Sequence, residues 1–177
     1  MLWKLIAKVC ARPAVADWLI RRAAAHPYSD IYNDGVLYMR RGWVFNPYPY
    51  SGAKPTLLQQ LCPYSIRVHH IVKPDDARDH HDHPWNARTI VFRGGYDEVR
   101  LERSCDLLWH PQDVEIKYQR RAGDTATIGF GEYHTITHIE PGGAYTLFIT
   151  GRYRGTWGFL VNGVKVHYKK YLNIGEK

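Results

Sequence analysis

The sequence has 177 residues, which is enough for one domain with a sizeable core and short for two. Hydrophobic residues make up 45% and aromatic residues 14%, with 13 Tyr and 6 Trp, so the composition is that of a globular protein that leans towards β structure. The net charge of +7 favours acidic partners. Because the basic residues are dispersed along the chain, we expect a small anionic molecule rather than nucleic acid.

Cysteine usage and hydropathy indicate a reducing, aqueous compartment. Cys10, Cys62 and Cys105 are odd in number and far apart, which argues against a disulfide framework. Lys4 and Lys8 interrupt the apolar start of the chain, and no run approaches the roughly 18 apolar residues of a membrane span. We therefore predict a cytoplasmic protein without a membrane segment.

The first 26 residues have helical periodicity. Leu2, Leu5, Ile6 and Val9 recur at helical spacing, and Pro13 suits the first turn of a second helix. We predict a helical flap over residues 1–27 that covers one side of a main domain at 28–177. An interfacial membrane helix is the alternative, although the charge density is low for one.

From residue 28 the pattern is that of short strands, with candidates at 36–39 and 43–45. The aromatic, proline-rich segment 46–52 is either a lid over a pocket or a packed surface loop. Residues 65–72 form a clear strand, with Arg67 and His69 on one row and His70 on the other. The pattern does not decide which row faces the interior, because the polar row of a small barrel can line a cavity.

Further strands are expected beyond residue 85. Residues 102–118 are polar and are predicted to form an exposed irregular excursion. The predicted strands recur every 8–12 residues with turns between them, which indicates a β-sandwich or barrel. They lie at 89–92, 96–101, 125–128, 144–150, 157–161 and 164–168.

The histidines of the segment 80–85 carry the strongest chemical signal. On an extended strand, His81 and His83 would point to the same face, about 6.6 Å apart. Two imidazoles so placed can converge on one ion, and neutral imidazole suits zinc, iron, copper or nickel. His134 is the best candidate for a third ligand. The alternative for an isolated pair is surface histidines or a hydrogen bond in the core.

Two motifs in this region resemble those of the cupin superfamily. The first, G-x5-H-x-H-x3-4-E-x6-G, matches at His81, His83 and Gly94, with Ala87 in the glutamate position. The second, G-x5-P-x-G-x2-H-x3-N, has matching positions at Gly123, Gly131 and His134, with Gly129 in the proline position and His138 in that of the asparagine.

The chain looks closer still to a group of small cupins from bacteria and their phages. In that group a strand ending in R-x-H-H-I precedes H-D-H-P-W, a G-G-Y turn and a late W-G-F. The corresponding segments here are 67–71, 81–85, 94–96 and 157–159. The resemblance implies a mainly β fold, a single double-stranded β-helix or jelly-roll barrel with an N-terminal helical segment. It also implies a metal site, but no particular reaction.

The missing glutamate reduces the implied ligand set to three neutral histidines, as in the thiol dioxygenases of the superfamily. Such a set implies a divalent ion with open positions. We favour Fe(II), with Zn, Ni or Mn as alternatives. Glu132 is predicted on the same strand face as His134, as a ligand or a neighbour of one. His138 is predicted in the barrel interior or in a hydrogen bond, without a ligand role, because four strand residues span about 13 Å.

Three functions remain open on these residues. The first is an iron dioxygenase-like oxidoreductase, with Arg67 binding a substrate carboxylate and Tyr96 or Tyr133 supplying a proton. The second is a metal-dependent isomerase or hydrolase, and the third is a non-catalytic binding or assembly module. We assign no catalytic residue. By analogy with cupins that pair through edge strands, a homodimer is expected.

Overall fold

The computed structural model describes residues 1–33, 35–46, 57, 61–75, 77–105 and 111–174. The helices whose bounds the structure describes are α1 (Leu2–Cys10), α2 (Pro13–Ala24) and α3 (Tyr168–Tyr171). The strands are β1 (Pro27–Asn33), β2 (Val36–Phe45), β3 (Ser65–Ile71), β4 (Ala87–Arg93), β5 (Gly95–Cys105), β6 (Pro111–Arg121), β7 (Thr125–Ile128), β8 (His134–Ile139), β9 (Ala144–Thr150), β10 (Gly158–Val161) and β11 (Val164–His167).

The strands form two antiparallel sheets that face one another. The large sheet has the order β1-β2-β3-β9-β4-β7, and the small one is built from β6-β5-β8 and from the hairpin β10-β11. His81 bridges His134 of β8 and Phe159 of β10, and so joins the two parts of the small sheet. Ile71 and Val91 of the large sheet share a core cluster with Ile136 of the small one. The predicted mainly β, cupin-type jelly roll is thereby confirmed.

The two N-terminal helices pack on the outer face of the large sheet. Leu19 is buried in one cluster with Ile90 and Phe92, whose side chains point away from the space between the sheets. A Cβ atom on Gly42 of β2 would lie 2.2 Å from the carbonyl oxygen of Ala23, so only glycine allows α2 to cross there. Among the described residues, no helix combines the length and apolarity that crossing a membrane requires.

The predicted irregular excursion at 102–118 is wrong where the structure describes it. β5 and β6 pair continuously from Gly95 with Arg121 to Cys105 with Pro111, and form a long hairpin. Its outer part exposes both faces to solvent, so the sequence there lacks the alternation of apolar and polar residues that identifies a strand. β2 is likewise one strand rather than two. Residues 47–52 of the predicted lid or loop lie outside the described residues.

The pairing of β3 with β9 decides which row of β3 faces the interior. Arg67 pairs with Phe148 and His69 with Thr146, on the face turned towards the small sheet. His70 lies on the opposite face, where its ring stacks on Tyr145 with centroids 3.9 Å apart. The polar row of β3 therefore lines the space between the sheets.

Candidate metal centre

The structure brings together the three histidines that the sequence singled out. Ligand atoms of His81, His83 and His134 all lie within 4.8 Å of one another, and the Nε2 atoms of His83 and His134 are 2.9 Å apart. His134 begins β8, whereas His81 forms an isolated bridge and His83 lies in the irregular segment after it. The predicted extended strand at 81–83 is therefore wrong, although the two imidazoles still converge.

Asp82 anchors the segment that carries two of these histidines. It is 1% exposed, and its carboxylate accepts a 2.7 Å hydrogen bond from the backbone N–H of Gly158 and another from the ammonium group of Lys165. These contacts tie the segment to β10 and β11. The fixed backbone holds the flanking imidazoles of His81 and His83 in place.

Glu98 lies directly behind His134. This β5 carboxylate is 1% exposed, and its Oε2 atom is 3.4 Å from Nδ1 of His134, an ion-pair distance without hydrogen-bond alignment. Its Oε1 atom accepts from Nε of Arg100 at 3.0 Å and from Nε of Arg120 at 2.6 Å. Burial raises the pKa of Glu98, but His134 and the two guanidinium groups outweigh burial and lower it to about 2.

A second carboxylate stands behind His81. Oδ2 of Asp75 is 3.7 Å from Nδ1 of His81 and accepts a 2.7 Å hydrogen bond from the backbone N–H of Ile136. The other oxygen of Asp75 accepts from the hydroxyl of Tyr38. With Ala87 in the position of the glutamate ligand, the negative charge near the site comes from Asp75 and Glu98, which face the imidazoles from behind. Carboxylates in this position orient ligand histidines and raise their basicity.

The electrostatics of the site favour the neutral forms of His81 and His83. Burial lowers the pKa of His81 to about 4, with Asp75 opposing the shift. Burial, and then the neighbouring imidazoles of His134 and His81, lowers the pKa of His83 well below its ordinary value. Neutral imidazoles present lone pairs, as a metal ligand must. The donor set and the carboxylates behind it therefore suit a divalent ion.

The metal-free protein is expected to lose stability as the pH falls from 7 to 5. His81 has its ordinary pKa of 6.5 in the unfolded chain and about 4 in the fold, so the unfolded chain binds more protons over this interval. The stability that depends on neutral His81 is full above pH 6.5 and declines towards pH 4, with about 2 kcal/mol lost by pH 5. Urea unfolding of chelator-treated protein at both pH values measures the loss. If the His81→Gln variant loses as much unfolding free energy between pH 7 and pH 5 as the native protein does, the assignment of this loss to His81 is contradicted.

A cavity of about 1240 Å³ opens beside the histidines. Its lining includes His81 and His83 together with aromatic residues from both sheets, and the basic residues Arg41 and Arg67. Arg67, the residue proposed from the sequence to bind a carboxylate, is 6% exposed and lies on this wall. The cavity therefore joins the candidate metal site to a buried cationic surface.

Two other residues singled out in the sequence lie away from the three imidazoles. Glu132 is 56% exposed at its side chain and precedes β8; its carboxylate accepts from the backbone N–H of Gly129 at 2.8 Å and is 3.9 Å from Arg100. The turn at 130–131 thus takes Glu132 off the strand face on which it was predicted. Tyr96 is buried in the core rather than on the cavity wall, and burial, followed by the charge of Glu98, raises its pKa.

Tyr133, His138 and His80 are absent from the described lining of the large cavity. Tyr133 is half-buried and lines a smaller cavity of about 440 Å³ on the other side of His134. His138 is exposed, so the interior position, one of the two alternatives predicted for it, is wrong. His80 lies beside the site, with Nδ1 at 2.7 Å from the hydroxyl of Thr135 and Nε2 at 3.1 Å from Glu115.

Sequence reasoning missed Glu98, Asp75 and the anchoring role of Asp82. The one available signal for Glu98 was a pair of acidic residues, Asp97 and Glu98, inside a predicted strand. No motif links either carboxylate to the histidine that it faces. Each contact joins two parts of the chain that only the strand pairing brings together, β5 with β8 for Glu98.

Comparison with known proteins gives a likeness of fold. No family model and no curated protein matches the chain. Fe(II)-HppE in complex with an alternative substrate is 12% identical, with a TM-score of 0.46, over 73% of this chain and 57% of that one. An oxalate decarboxylase of Bacillus subtilis is 11% identical with a TM-score of 0.49, over 87% of this chain and 33% of that one. KdgF from Halomonas sp. is 12% identical with a TM-score of 0.44, over 73% of this chain and 91% of that one.

These similarities are too distant to carry an argument about activity, and the chain spans just over half the length of the HppE structure. The architecture itself is more informative. Two facing antiparallel sheets enclose a cavity that His81 and His83 of the first motif line, and His134 of the second motif meets these two histidines beside it. This fold and these motifs are the ones that the resemblance to the cupin superfamily implies.

Proposed function

We propose that this chain is a metalloprotein that holds one divalent ion between His81, His83 and His134. The observation that carries the proposal is the convergence of the three imidazoles, with two Nε2 atoms 2.9 Å apart. Glu98 behind His134 supports it, because its carboxylate favours a proton on Nδ1 and leaves the lone pair of Nε2 towards the site.

The ion that we favour is Fe(II), with Zn, Ni or Mn as alternatives. All of these accept imidazole ligands, and a set of three neutral histidines resembles that of the thiol dioxygenases. When bound, an iron ion with three protein ligands would supply dioxygenase-like oxidation at its open positions. The protein's own contribution is to fix the three ligands, through the anchor at Asp82 and the carboxylates of Asp75 and Glu98.

The substrate that we propose is a small anionic molecule bound in the cavity. Arg41 and Arg67 place two guanidinium groups on the wall, and Asp75 is turned towards His81 and Tyr38. Aromatic rings, among them Trp85 and Phe148, surround the same space and would exclude water from a bound organic acid. The proposed activity is therefore that of an oxidoreductase acting on a small organic anion.

Oxygen consumption tests this function. Iron-loaded protein should consume oxygen when small organic acids or thiols are added, and zinc-loaded protein should not. The His83→Ala variant, treated in the same way, is the matched control and should consume no oxygen. If the iron-loaded protein consumes no oxygen with any compound of the panel, the oxidoreductase proposal is wrong, and a redox-inactive ion acting on a carbonyl becomes the better hypothesis.

A further inference from the structure

Three buried nitrogen atoms on one wall of the cavity have no hydrogen-bond partner. They are Nε of Arg67, Nε2 of His69 and Nε1 of Trp85. All three residues line the cavity, and each nitrogen can carry a hydrogen-bond donor. Buried donors in folded proteins are almost always paired, so three in one place require an explanation.

The three nitrogens belong to one patch around the ring of Phe148. The Arg67 guanidinium lies 5.1 Å from the Trp85 ring and 5.9 Å from that of Phe148. The His69 ring stacks on Phe148 with centroids 4.8 Å apart. His83 is 5.9 Å from the same ring, so the patch adjoins the three metal-ligand candidates.

Arg67 carries a buried charge that no carboxylate compensates within the described part of the chain. It is 6% exposed, and Nη2 donates to the hydroxyl of Thr150 at 3.0 Å, which fixes the guanidinium. Burial lowers the pKa of Arg67 to about 10, so it stays charged at neutral pH. Arg41, also on the cavity wall, adds repulsion. An uncompensated buried charge is unfavourable, and a bound anion would offset that cost.

We propose that Arg67, His69 and Trp85 form an oxyanion subsite that binds the carboxylate of a small organic acid. The flat oxyanion accepts from the three free N–H groups, and its carbon framework lies over Phe148 in the direction of His83. A planar, aromatic acid fits best, because aromatic rings line the patch. That the carbon framework of the acid points towards a metal rests on the proposed function. The binding of its carboxylate by Arg67, His69 and Trp85 does not.

Calorimetric titration of metal-free protein with benzoate tests the subsite, with the isosteric neutral benzamide as the ligand control. Benzoate should bind and benzamide should bind at least about 10-fold more weakly, since a hydrogen bond to a charged group is worth about 10- to 150-fold in affinity. Arg67→Met should weaken benzoate binding by a similar factor. Trp85→Phe and His69→Phe, which keep a ring and remove the donor, should each weaken it by about 2- to 12-fold.

Arg88→Met is the matched protein control. Arg88 also stacks on a tryptophan, Trp3, and donates to a threonine hydroxyl, but it lies outside the cavity lining. This variant should bind benzoate as the native protein does. If Arg67→Met does not fold, as judged by near-UV circular dichroism, the proposal is tested by the benzoate affinity of Trp85→Phe and His69→Phe.

Equal binding of benzoate and benzamide, or full benzoate affinity in the folded Arg67, Trp85 and His69 variants, would overturn the proposal. Inorganic phosphate is the third ligand. Tighter binding of phosphate than of benzoate would overturn the carboxylate assignment. Because every titration uses metal-free protein, benzoate binding tests this proposal separately from that of the metal. Benzoate should bind whether or not the native protein binds metal.

Discussion

Replacing Glu98 by glutamine is expected to lower the free energy of unfolding by about 3 kcal/mol or more. Glu98 is 1% exposed and is the carboxylate between Arg100 and Arg120, whose side chains are also largely buried. Removing one member of a buried ion pair costs about 3–5 kcal/mol, because the remaining charges are left without compensation. For a chain of this length, that change lowers the melting temperature by roughly 10 °C.

The same substitution should also weaken the binding of metal. Glutamine cannot stabilise the Nδ1 proton of His134 as a carboxylate does, and the loss of such a partner typically costs 10- to 100-fold in metal affinity. Competition with a chelator measures the affinity, and calorimetric melting of metal-free protein measures the stability. Glu102→Gln is the matched control on the exposed part of the same strand, and its stability should change by less than about 0.5 kcal/mol. An unchanged melting temperature in Glu98→Gln would refute the buried network.

The sequence was sufficient for the fold class and for the three histidines. Short strands separated by turns predicted a β-sandwich or barrel, and the resemblance to cupins implied the jelly roll. Helical spacing together with Pro13 predicted the two N-terminal helices. His81 and His83 were found because ligands two residues apart leave a local signal. His134 was found through a second local motif, and the strand pairing brings it to the first.

The parts that sequence did not predict depend on contacts between distant residues. Glu98 reaches His134 only because β5 pairs with β8, and no local pattern encodes that register. The orientation of Arg67 stayed open, because a polar row in a barrel strand can face either solvent or a cavity. Glu132 was misplaced because a turn interrupts the strand before His134. The outer part of the β5–β6 hairpin was not predicted because both of its faces are exposed to solvent, so its sequence lacks the alternation of apolar and polar residues.

Replacing His83 by alanine is expected to abolish stoichiometric binding of metal. The variant removes one of three ligands and leaves two imidazoles, which cannot hold a divalent ion with comparable affinity. His138→Ala is the matched control, because His138 is exposed and lies outside the group of three. The control should retain metal binding in full, with unchanged melting of the metal-free protein.

Elemental analysis of protein equilibrated with Fe(II) and dialysed is the most direct test of the account. We predict one ion per chain in the native protein and in His138→Ala, and less than about one tenth of that amount in His83→Ala, in line with the loss of a ligand. Native protein without bound iron, zinc, nickel or manganese under these conditions, or His83→Ala with a full complement, would contradict it.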